Sequence, residues 1–219
     1  MKIKNFKHNK LIIWLFKLNG PYNLITPNEI KIARNLPKYR SFVYKRSRSC
    51  IREVLSNIFN IPPLDIPLNA NPGKAPYLDK DYGFISLSHC SDAILIGWSS
   101  SQIGIDIERQ DRKINSKKIV ERFFVNDEIS KFNNLNSSNF DKEFIKAWVL
   151  KESAIKWHKG NIAKDIKEWQ LEDKYRTAIH KKNKYRINTL NLNIKKWSLG
   201  IASSIKIFDI YPLICMHVN

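Results

Sequence analysis

The stretch DAILIGWSSSQIGIDIE, residues 92–108, indicates the architecture of this chain. Its two apolar runs, rich in isoleucine, are typical of β-strands, and the polar residues 99–102 between them predict a turn. The first run, ILIGWSS (94–100), resembles SLGIASS (198–204) in the second half, and helical patterns precede both. We therefore expect two related subdomains that meet near residue 103.

Hydrophobic periodicity on either side predicts a mixture of helices and strands. A core strand is predicted at Leu11 to Leu18, and the Pro-rich segment IPPLDIPLNANPGKAPYL (61–78) interrupts the helical patterns. A further strand ends at Ser88 and His89, and the chain closes with several strands, the last pair near 185–192 and 197–208. The predicted helices begin at Pro27, span 39–59 with an apolar stripe opposite basic residues, span 116–124, follow a cap at Asn126, and span 140–159.

Composition excludes some classes of protein and leaves others open. The 219 residues are 43% hydrophobic, which allows a sizeable core and argues against global disorder. Lysine and arginine number 38 against 20 acidic residues, and the net charge of +18 should attract nucleic acid, acidic membranes, phosphorylated cofactors or acidic proteins. No run approaches the roughly 20 apolar residues of a membrane span.

The three cysteines, Cys50, Cys90 and Cys215, are widely spaced and form no Cys-x-x-Cys pair. This pattern suggests neither a disulfide framework nor a zinc site, and it fits a reducing cytoplasm. The start of the chain superficially resembles a signal peptide, but Lys17 interrupts the apolar run and no convincing cleavage site follows. We therefore expect a cytoplasmic protein.

Asp106 and Glu108 lie two residues apart in the strand-like run IGIDIE. Since side chains alternate along a strand, both carboxylates should face one side. Adjacent carboxylates repel each other, and a hard cation such as Mg²⁺, which prefers oxygen ligands, makes the arrangement favourable. The alternative is a solvated edge strand with alternating charge.

A long predicted helix carries a third carboxylate. Glu152 follows Trp148 by four residues and lies on or beside the apolar stripe, where a carboxylate is costly unless it is paired or binds a metal. Lys156 lies one turn further on the same face, which is also the pattern of an ordinary Glu–Lys helix pair. Lys151 points about 100° away and could reach another oxygen of the same anion.

Two further residues have structural alternatives. Glu128 follows Asn126 at a helix start, where its effect on the helix dipole explains it as well as a metal or supporting role does. His89, between Ser88 and Cys90 at a strand end, fits either a phosphate or nucleotide contact or a core imidazole. No base partner for a nucleophilic serine or cysteine is evident, so covalent catalysis is not supported.

Several motifs follow one another in a family-specific order: GKAPYL (73–78), SLSHC (86–90), IGIDIE (103–108), FFVNDE (123–128) and FIKAWVLKESAIKW (144–157). Together they closely resemble the 4'-phosphopantetheinyl transferase superfamily, specifically its monomeric, surfactin-synthetase-activating type. The resemblance covers roughly residues 69–160.

The resemblance implies an α/β (α+β) pseudo-dimer of two similar subdomains, residues 1–102 and 103–219, each an antiparallel sheet packed with helices. It implies an enzyme, a holo-[acyl-carrier-protein] synthase, with coenzyme A and Mg²⁺ in the cleft between the subdomains. The implied reaction transfers 4'-phosphopantetheine to a serine of an acidic apo carrier protein (acyl, polyketide or peptidyl) and releases 3',5'-ADP. A monomer with neither nucleic acid nor membrane as partner is also implied.

Matching the family motifs assigns roles to individual residues. The implied metal ligands are Asp106, Glu108 and Glu152, and the positions that match coenzyme A contacts are Lys74, Ser88, His89, Lys151 and Lys156. Our hypothesis is that Glu152, directly or through a metal-bound water, takes the serine proton, while Lys156 steadies or protonates the leaving bisphosphate. It stays open whether Glu152 is ligand, base or both, and which of Arg40, Arg46 and Arg48 holds the 3'-phosphate.

Two departures and two rival functions remain. Residues 73–76 read Gly-Lys-Ala-Pro where the family often has Gly-Lys-Pro, and the segments beyond the core motifs match only in texture, so carrier choice is not predicted. A metal-dependent nuclease is the enzyme-class rival, because acidic pairs followed by a Glu and a Lys also hold Mg²⁺ for phosphodiester hydrolysis. A basic nucleic-acid-binding domain is the non-enzymatic rival, but the aromatic residues follow core periodicity.

Overall fold

The fold is described from a computed structural model, which describes residues 10–71, 73–205 and 213–217. These residues divide into two compact units. The first comprises the described residues up to 100 together with 213–217, and the second comprises residues 101–205. Each unit combines a sheet with helices, which confirms the predicted α/β (α+β) class.

Runs of strands and runs of helices follow one another along the described chain. In chain order the elements are β1 (Leu11–Lys17), α1 (Pro27–Arg34), α2 (Lys38–Phe59), β2 (Leu68–Asn69), β3 (Tyr77–Leu78), β4 (Phe84–His89), β5 (Ala93–Ser99), β6 (Ile103–Arg109), α3 (Ser116–Phe123), α4 (Asn126–Asn133), α5 (Ser137–Trp157), α6 (Ile162–Asp165), β7 (Trp169–Glu172), β8 (Thr177–His180), β9 (Arg186–Ile194), β10 (Trp197–Ser203) and β11 (Leu213–His217). None of the helices in the described residues is both long enough and apolar enough to span a membrane.

The first unit contains a four-stranded sheet in the order β11-β1-β5-β4. β1 and β5 pair antiparallel, as do β5 and β4, whereas β1 and β11 pair parallel. The prediction that the chain closes with the pair near 185–192 and 197–208 is therefore wrong, because β11 follows that pair and joins the sheet of the first unit. Residues 206–208 of the predicted last strand lie outside the described residues.

Helix α2 packs its apolar side chains against this sheet and also buries arginines. Arg48 and Arg52 are 4% and 3% exposed, so the prediction that the basic residues lie opposite the apolar stripe is wrong for both. Arg52 Nε donates to Glu29 Oε2 over 2.9 Å, and Arg48 Nη2 donates to the Ala70 carbonyl, whereas Nε and Nη1 of Arg48 have no hydrogen-bond partner among the described residues. Burial of a charged group is tolerable when such partners are present.

The second unit contains a five-stranded antiparallel sheet in the order β6-β10-β9-β8-β7. Helix α5 covers it and contributes Phe144, Leu150 and Ile155 to the core, which β7 completes with Trp169 and Leu171. The predicted helix at 140–159 thus exists, but it begins at Ser137, because the side chain of the preceding residue 136 caps it.

Two glycines allow α5 to lie directly on β6 and β10. A Cβ atom would lie 2.0 Å from a helix carbonyl oxygen at Gly104 and 2.2 Å from another at Gly200, so any larger residue would push the helix away. Gly200 is the cross-strand partner of Asp106, and Gly104 shares a strand face with Asp106 because side chains alternate. This close packing places Asp106 beside the helix that carries Glu152 and Lys156.

Candidate active site

Strand β6 carries two acidic side chains toward the α5 side of the sheet. Asp106 is 3% exposed, and the Glu108 side chain is 16% exposed. Ile105 and Ile107 alternate with them and are buried. The strand period therefore separates an acidic face from an apolar face, as expected for IGIDIE.

Two cations approach these carboxylates within the second unit. Lys156 Nζ donates to Asp106 Oδ1 over 2.6 Å, and the lysine side chain is still 28% exposed. Arg112, four residues after Glu108, forms an ion pair with it. Lys156 was expected at the site, but Arg112 was not, although its spacing from Glu108 was readable in the sequence.

Glu152 completes an electrostatic cluster with the two β6 carboxylates. Burial raises the pKa of Glu152 to about 8, and the negative charges of Asp106 and Glu108 act in the same direction. Burial also raises the pKa of Glu108 to about 7 despite the lowering effect of Arg112. Burial is the main cause of both shifts and repulsion between the carboxylates adds to it, so an added positive charge would stabilise the ionised cluster.

The donor chemistry of this cluster fits a hard cation such as Mg²⁺, which takes carboxylate oxygens as ligands. As these three described side chains stand, however, their carboxylate oxygens do not all lie within 4.8 Å of one another. A cation shared by Asp106, Glu108 and Glu152 therefore requires side-chain rotation. The exposed fraction of Lys156 indicates that solvent reaches the edge of the cluster.

Lys151 lies elsewhere in the unit. Its side chain is 0% exposed, and Nζ donates to Glu128 Oε2 over 2.6 Å. Glu128 Oε1 accepts a hydrogen bond from the Leu171 backbone over 3.1 Å. The helix dipole at the start of α4 is thus not the whole explanation of Glu128, because it also neutralises a buried lysine; the predicted contact of Lys151 with coenzyme A stays a prediction.

The remaining predicted residues lie in the first unit. Lys74 is exposed on the segment between β2 and β3, while Ser88 is buried and His89 is exposed at the end of β4. Among the candidate arginines, Arg40 is exposed, whereas Arg46 is 7% exposed and donates to backbone carbonyl oxygens of Lys17 and Pro21. Contacts of these residues with coenzyme A stay predictions.

Comparison with known proteins gives the site its context. Residues 102–203 match the model of the 4'-phosphopantetheinyl transferase superfamily. The 4'-phosphopantetheinyl transferase gsp of Aneurinibacillus migulanus is 31% identical over 135 residues, which are 61% of this chain and 56% of that protein. The 4'-phosphopantetheinyl transferase ffp of Bacillus subtilis is 31% identical over 107 residues, which are 48% of this chain and 47% of that protein. Over residues 102–203 this chain is therefore similar to the 4'-phosphopantetheinyl transferase superfamily.

The predicted resemblance to the 4'-phosphopantetheinyl transferases, of the surfactin-synthetase-activating type, is thereby confirmed. The superfamily match begins one residue before β6 and ends with β10, so it contains the whole acidic cluster and the Lys151–Glu128 pair. The chain spans about half the length of the curated relatives it matches.

Proposed function

We propose that this protein is a 4'-phosphopantetheinyl transferase, which moves the 4'-phosphopantetheine group from coenzyme A to a serine of an apo carrier protein. The proposal rests on one observation: the segment that matches the superfamily, residues 102–203, contains a cluster of three carboxylates and a partly exposed lysine. The proposed division of labour assigns coenzyme A contacts to residues 1–102 and the metal site to 103–219.

Asp106, Glu108 and Glu152 are the residues that would hold Mg²⁺. When bound, the cation supplies positive charge that stabilises the phosphoryl oxygens of coenzyme A during transfer. The three carboxylates provide oxygen donors, and burial raises the pKa of Glu108 and of Glu152, a cost that a bound cation would offset.

The side chains of the second unit supply the proton chemistry. The serine oxygen attacks the β-phosphorus of coenzyme A and forms a P–O bond, while the bond to the bridging pyrophosphate oxygen breaks. Glu152, directly or through a metal-bound water, accepts the serine proton. Lys156 donates to the leaving 3',5'-ADP, which departs with the electron pair of the broken bond.

Residues of the first unit hold coenzyme A in this proposal. Lys74 and His89 are exposed polar side chains suited to phosphate oxygens, and Ser88 precedes His89 on the same strand. For the 3'-phosphate, Arg40 needs no rearrangement to meet an anion, whereas Arg46 would have to leave its backbone acceptors. For Lys151, a phosphate contact would require the side chain to leave Glu128, beside which it is buried.

The carrier partner is proposed to be acidic. The net charge of +18 favours encounter with an acidic acyl, polyketide or peptidyl carrier domain. A cytoplasmic monomer is the form in which we propose that the reaction occurs.

Mass spectrometry of the carrier tests the proposal. The full-length protein is incubated with coenzyme A, Mg²⁺ and apo carriers of the fatty-acid, polyketide and peptide-synthetase types. We expect the carrier to gain one phosphopantetheine, with the gain abolished in Asp106→Ala. Asp111→Ala is the matched control, since Asp111 is an exposed aspartate paired with Arg109 just after β6, and it should retain activity.

Two outcomes contradict the proposal. One is the absence of any mass gain with all three kinds of carrier although coenzyme A binds. The other is Mg²⁺-dependent cleavage of DNA or RNA that requires Asp106 while carriers stay unmodified, which would favour the nuclease alternative.

A further inference from the structure

A second cluster of potential ligands lies in the second unit, outside the acidic site. His158 caps the C-terminal end of α5, Asp165 ends α6, and His180 ends β8. Each offers one ligand atom, and these atoms all lie within 4.8 Å of one another. The cluster therefore joins three elements that are separated in the sequence.

Two ring nitrogens of this cluster are buried without a hydrogen-bond partner among the described residues. They are Nδ1 of His158 and Nε2 of His180. His180 is 2% exposed, so water does not readily satisfy it. A buried polar atom without a partner costs about 1–3 kcal/mol, and such atoms in native proteins call for a ligand or another explanation.

The surroundings hold the side chains in place, and Gly160 lets two of them pack close to its backbone. Asp165 Oδ2 accepts a hydrogen bond from the Asn161 backbone over 2.6 Å, and the ring of His180 lies 5.1 Å from that of Trp169. A Cβ atom at Gly160 would lie 2.4 Å from Asp165 Oδ2 and 2.8 Å from His158 Nδ1. A side chain at position 160 would therefore displace Asp165 Oδ2 and His158 Nδ1 from their present positions.

We propose that His158, Asp165 and His180 bind one divalent transition-metal ion of the zinc type. Two imidazoles and one carboxylate are a donor set typical of Zn²⁺ and unlike that of Mg²⁺, which prefers oxygen alone. Zinc bonds of about 2.0–2.2 Å require the three atoms to close toward a common centre, which small side-chain rotations accomplish. Cysteine spacing does not reveal this site, because its three residues are two histidines and an aspartate on separate elements.

Metal binding exchanges one hydrogen-bonding arrangement of His180 for another. The Asn183 backbone N–H donates to His180 Nδ1 over 3.1 Å, so the neutral ring carries its proton on Nε2 in the metal-free protein. When Nε2 binds the metal, the ring proton moves to Nδ1, and the Asn183 N–H has to turn away. Residues 181–184 form an exposed turn that can make this change.

The metal would tie the end of α5 to the β7–β8 edge of the sheet. α5 also carries Glu152 and Lys156, so the ion would stabilise the helix of the acidic site without taking part in its chemistry. This inference does not rest on the proposed transferase activity. Its failure would leave that proposal intact, because the test below measures metal binding.

Titration with Co²⁺, a coloured substitute for Zn²⁺, tests the site. The full-length protein is stripped with a chelator and held in excess Mg²⁺, so that the acidic cluster is not available to Co²⁺. We expect visible absorption that saturates at one Co²⁺ per chain, a mass gain of one Zn²⁺ by native mass spectrometry, and a higher melting temperature with Zn²⁺. Asp165→Asn and His180→Gln should each weaken binding about 100-fold or more, since even residues that only support a ligand cost 10–100-fold.

Two controls define the result. His217→Gln removes an exposed histidine of the first unit and should bind Co²⁺ like the unaltered protein, as should Asp106→Ala. If His180→Gln does not fold, Gly160→Ala tests the same site with all three ligands retained, and it should weaken binding about tenfold because its Cβ occupies the space beside Asp165. No binding by the unaltered protein, or full affinity in a folded Asp165→Asn variant, overturns the proposal.

Discussion

Helix α5 carries two lysine–carboxylate pairs that have the same length and different surroundings. Lys151 Nζ lies 2.6 Å from Glu128, and Lys156 Nζ lies 2.6 Å from Asp106. The Lys151–Glu128 side chains are 0% and 5% exposed, whereas those of Lys156–Asp106 are 28% and 4% exposed. Distance alone does not separate a structural pair from a candidate catalytic one; access to solvent and neighbouring charge do.

The sealed pair, Lys151–Glu128, has its polar atoms satisfied within the protein. Glu128 accepts from Lys151 and from the Leu171 backbone, and Lys151 Nζ also lies 4.5 Å from the ring centre of Phe124. The open pair, Lys156–Asp106, instead lies beside Glu108 and Glu152, whose pKa values are raised. We infer that the sealed pair holds α4 against α5, while the open pair is poised to exchange partners.

The largest effect is expected from breaking the sealed pair. Lys151→Met leaves the Glu128 carboxylate buried without its cation, which should cost about 3–5 kcal/mol of unfolding free energy. Denaturant unfolding followed by circular dichroism measures the loss. The double variant Lys151→Met/Glu128→Gln should recover much of it, because the remaining buried group is neutral. A single-variant loss below about 1 kcal/mol would show that the pair is not structurally important.

Breaking the open pair should affect transfer more than folding. Lys156→Met is expected to lower kcat about 10²–10³-fold, because it removes a charge that stabilises the leaving group. With Mg²⁺ present its unfolding free energy should fall by less than that of Lys151→Met, since the cation offsets the charge of Asp106. Steady-state kinetics and unfolding of the same preparation measure both quantities.

Lys142→Met is the matched control for Lys156→Met. Lys142 is an exposed lysine on the same helix, so its removal should leave kcat and stability nearly unchanged. The comparison fails if Lys156→Met loses stability as Lys151→Met does while its kcat, corrected for the folded fraction, stays normal.

The members of the open pair were predicted as site residues from the sequence, but neither lysine–carboxylate contact was. The strand period placed Asp106 and Glu108 on one face, and helical spacing placed Lys156 one turn after Glu152. The contact between Glu128 and Lys151 joins two helices across 23 residues of sequence and depends on how α4 packs against α5. Local periodicity contains no information about such packing.

The same limit applies elsewhere in the chain. The strands β4, β5 and β6 were predicted because their apolar patterns are local. The parallel pairing of β11 with β1 was missed, because it joins the two ends of the described chain. The cluster around His180 was missed for the same reason, since its members lie on three separate elements.

The pH dependence of the melting temperature should distinguish the acidic cluster from the sealed pair. In the folded protein burial raises the pKa of Glu108 to about 7 and that of Glu152 to about 8, above the ordinary 4.5. From about pH 4.5 to about pH 8 the folded state therefore binds more protons than the unfolded state. Without Mg²⁺, the melting temperature should therefore fall as pH rises from 5 toward 8.5. Mg²⁺ should restore it, and the gain should be larger at pH 8.5 than at pH 5.5.

Thermal melts with and without Mg²⁺ across this pH range check the expectation. Glu152→Gln should flatten the decline, because its side chain no longer titrates. Lys151→Met/Glu128→Gln should keep the decline, since the sealed pair is separate from the cluster. An Mg²⁺ gain that is equal at both ends of the range would exclude these two glutamates as the groups that meet the cation.

Salt should produce the smallest effect and act on encounter with the carrier. The net charge of +18 attracts an acidic carrier over distances that about 0.1 M salt already screens to roughly 10 Å. With coenzyme A saturating, KM for the carrier should rise several-fold from low to moderate NaCl while kcat changes little, because electrostatic steering affects association and not the chemical step.

The sealed pair, Lys151–Glu128, is the internal reference. Its coupling free energy from a double-mutant cycle should be the same at both salt concentrations, since neither side chain is more than 5% exposed. A fall in kcat with constant KM would place the salt-sensitive charges inside the acidic cluster instead, where the 28% exposed Lys156 is the first residue to examine.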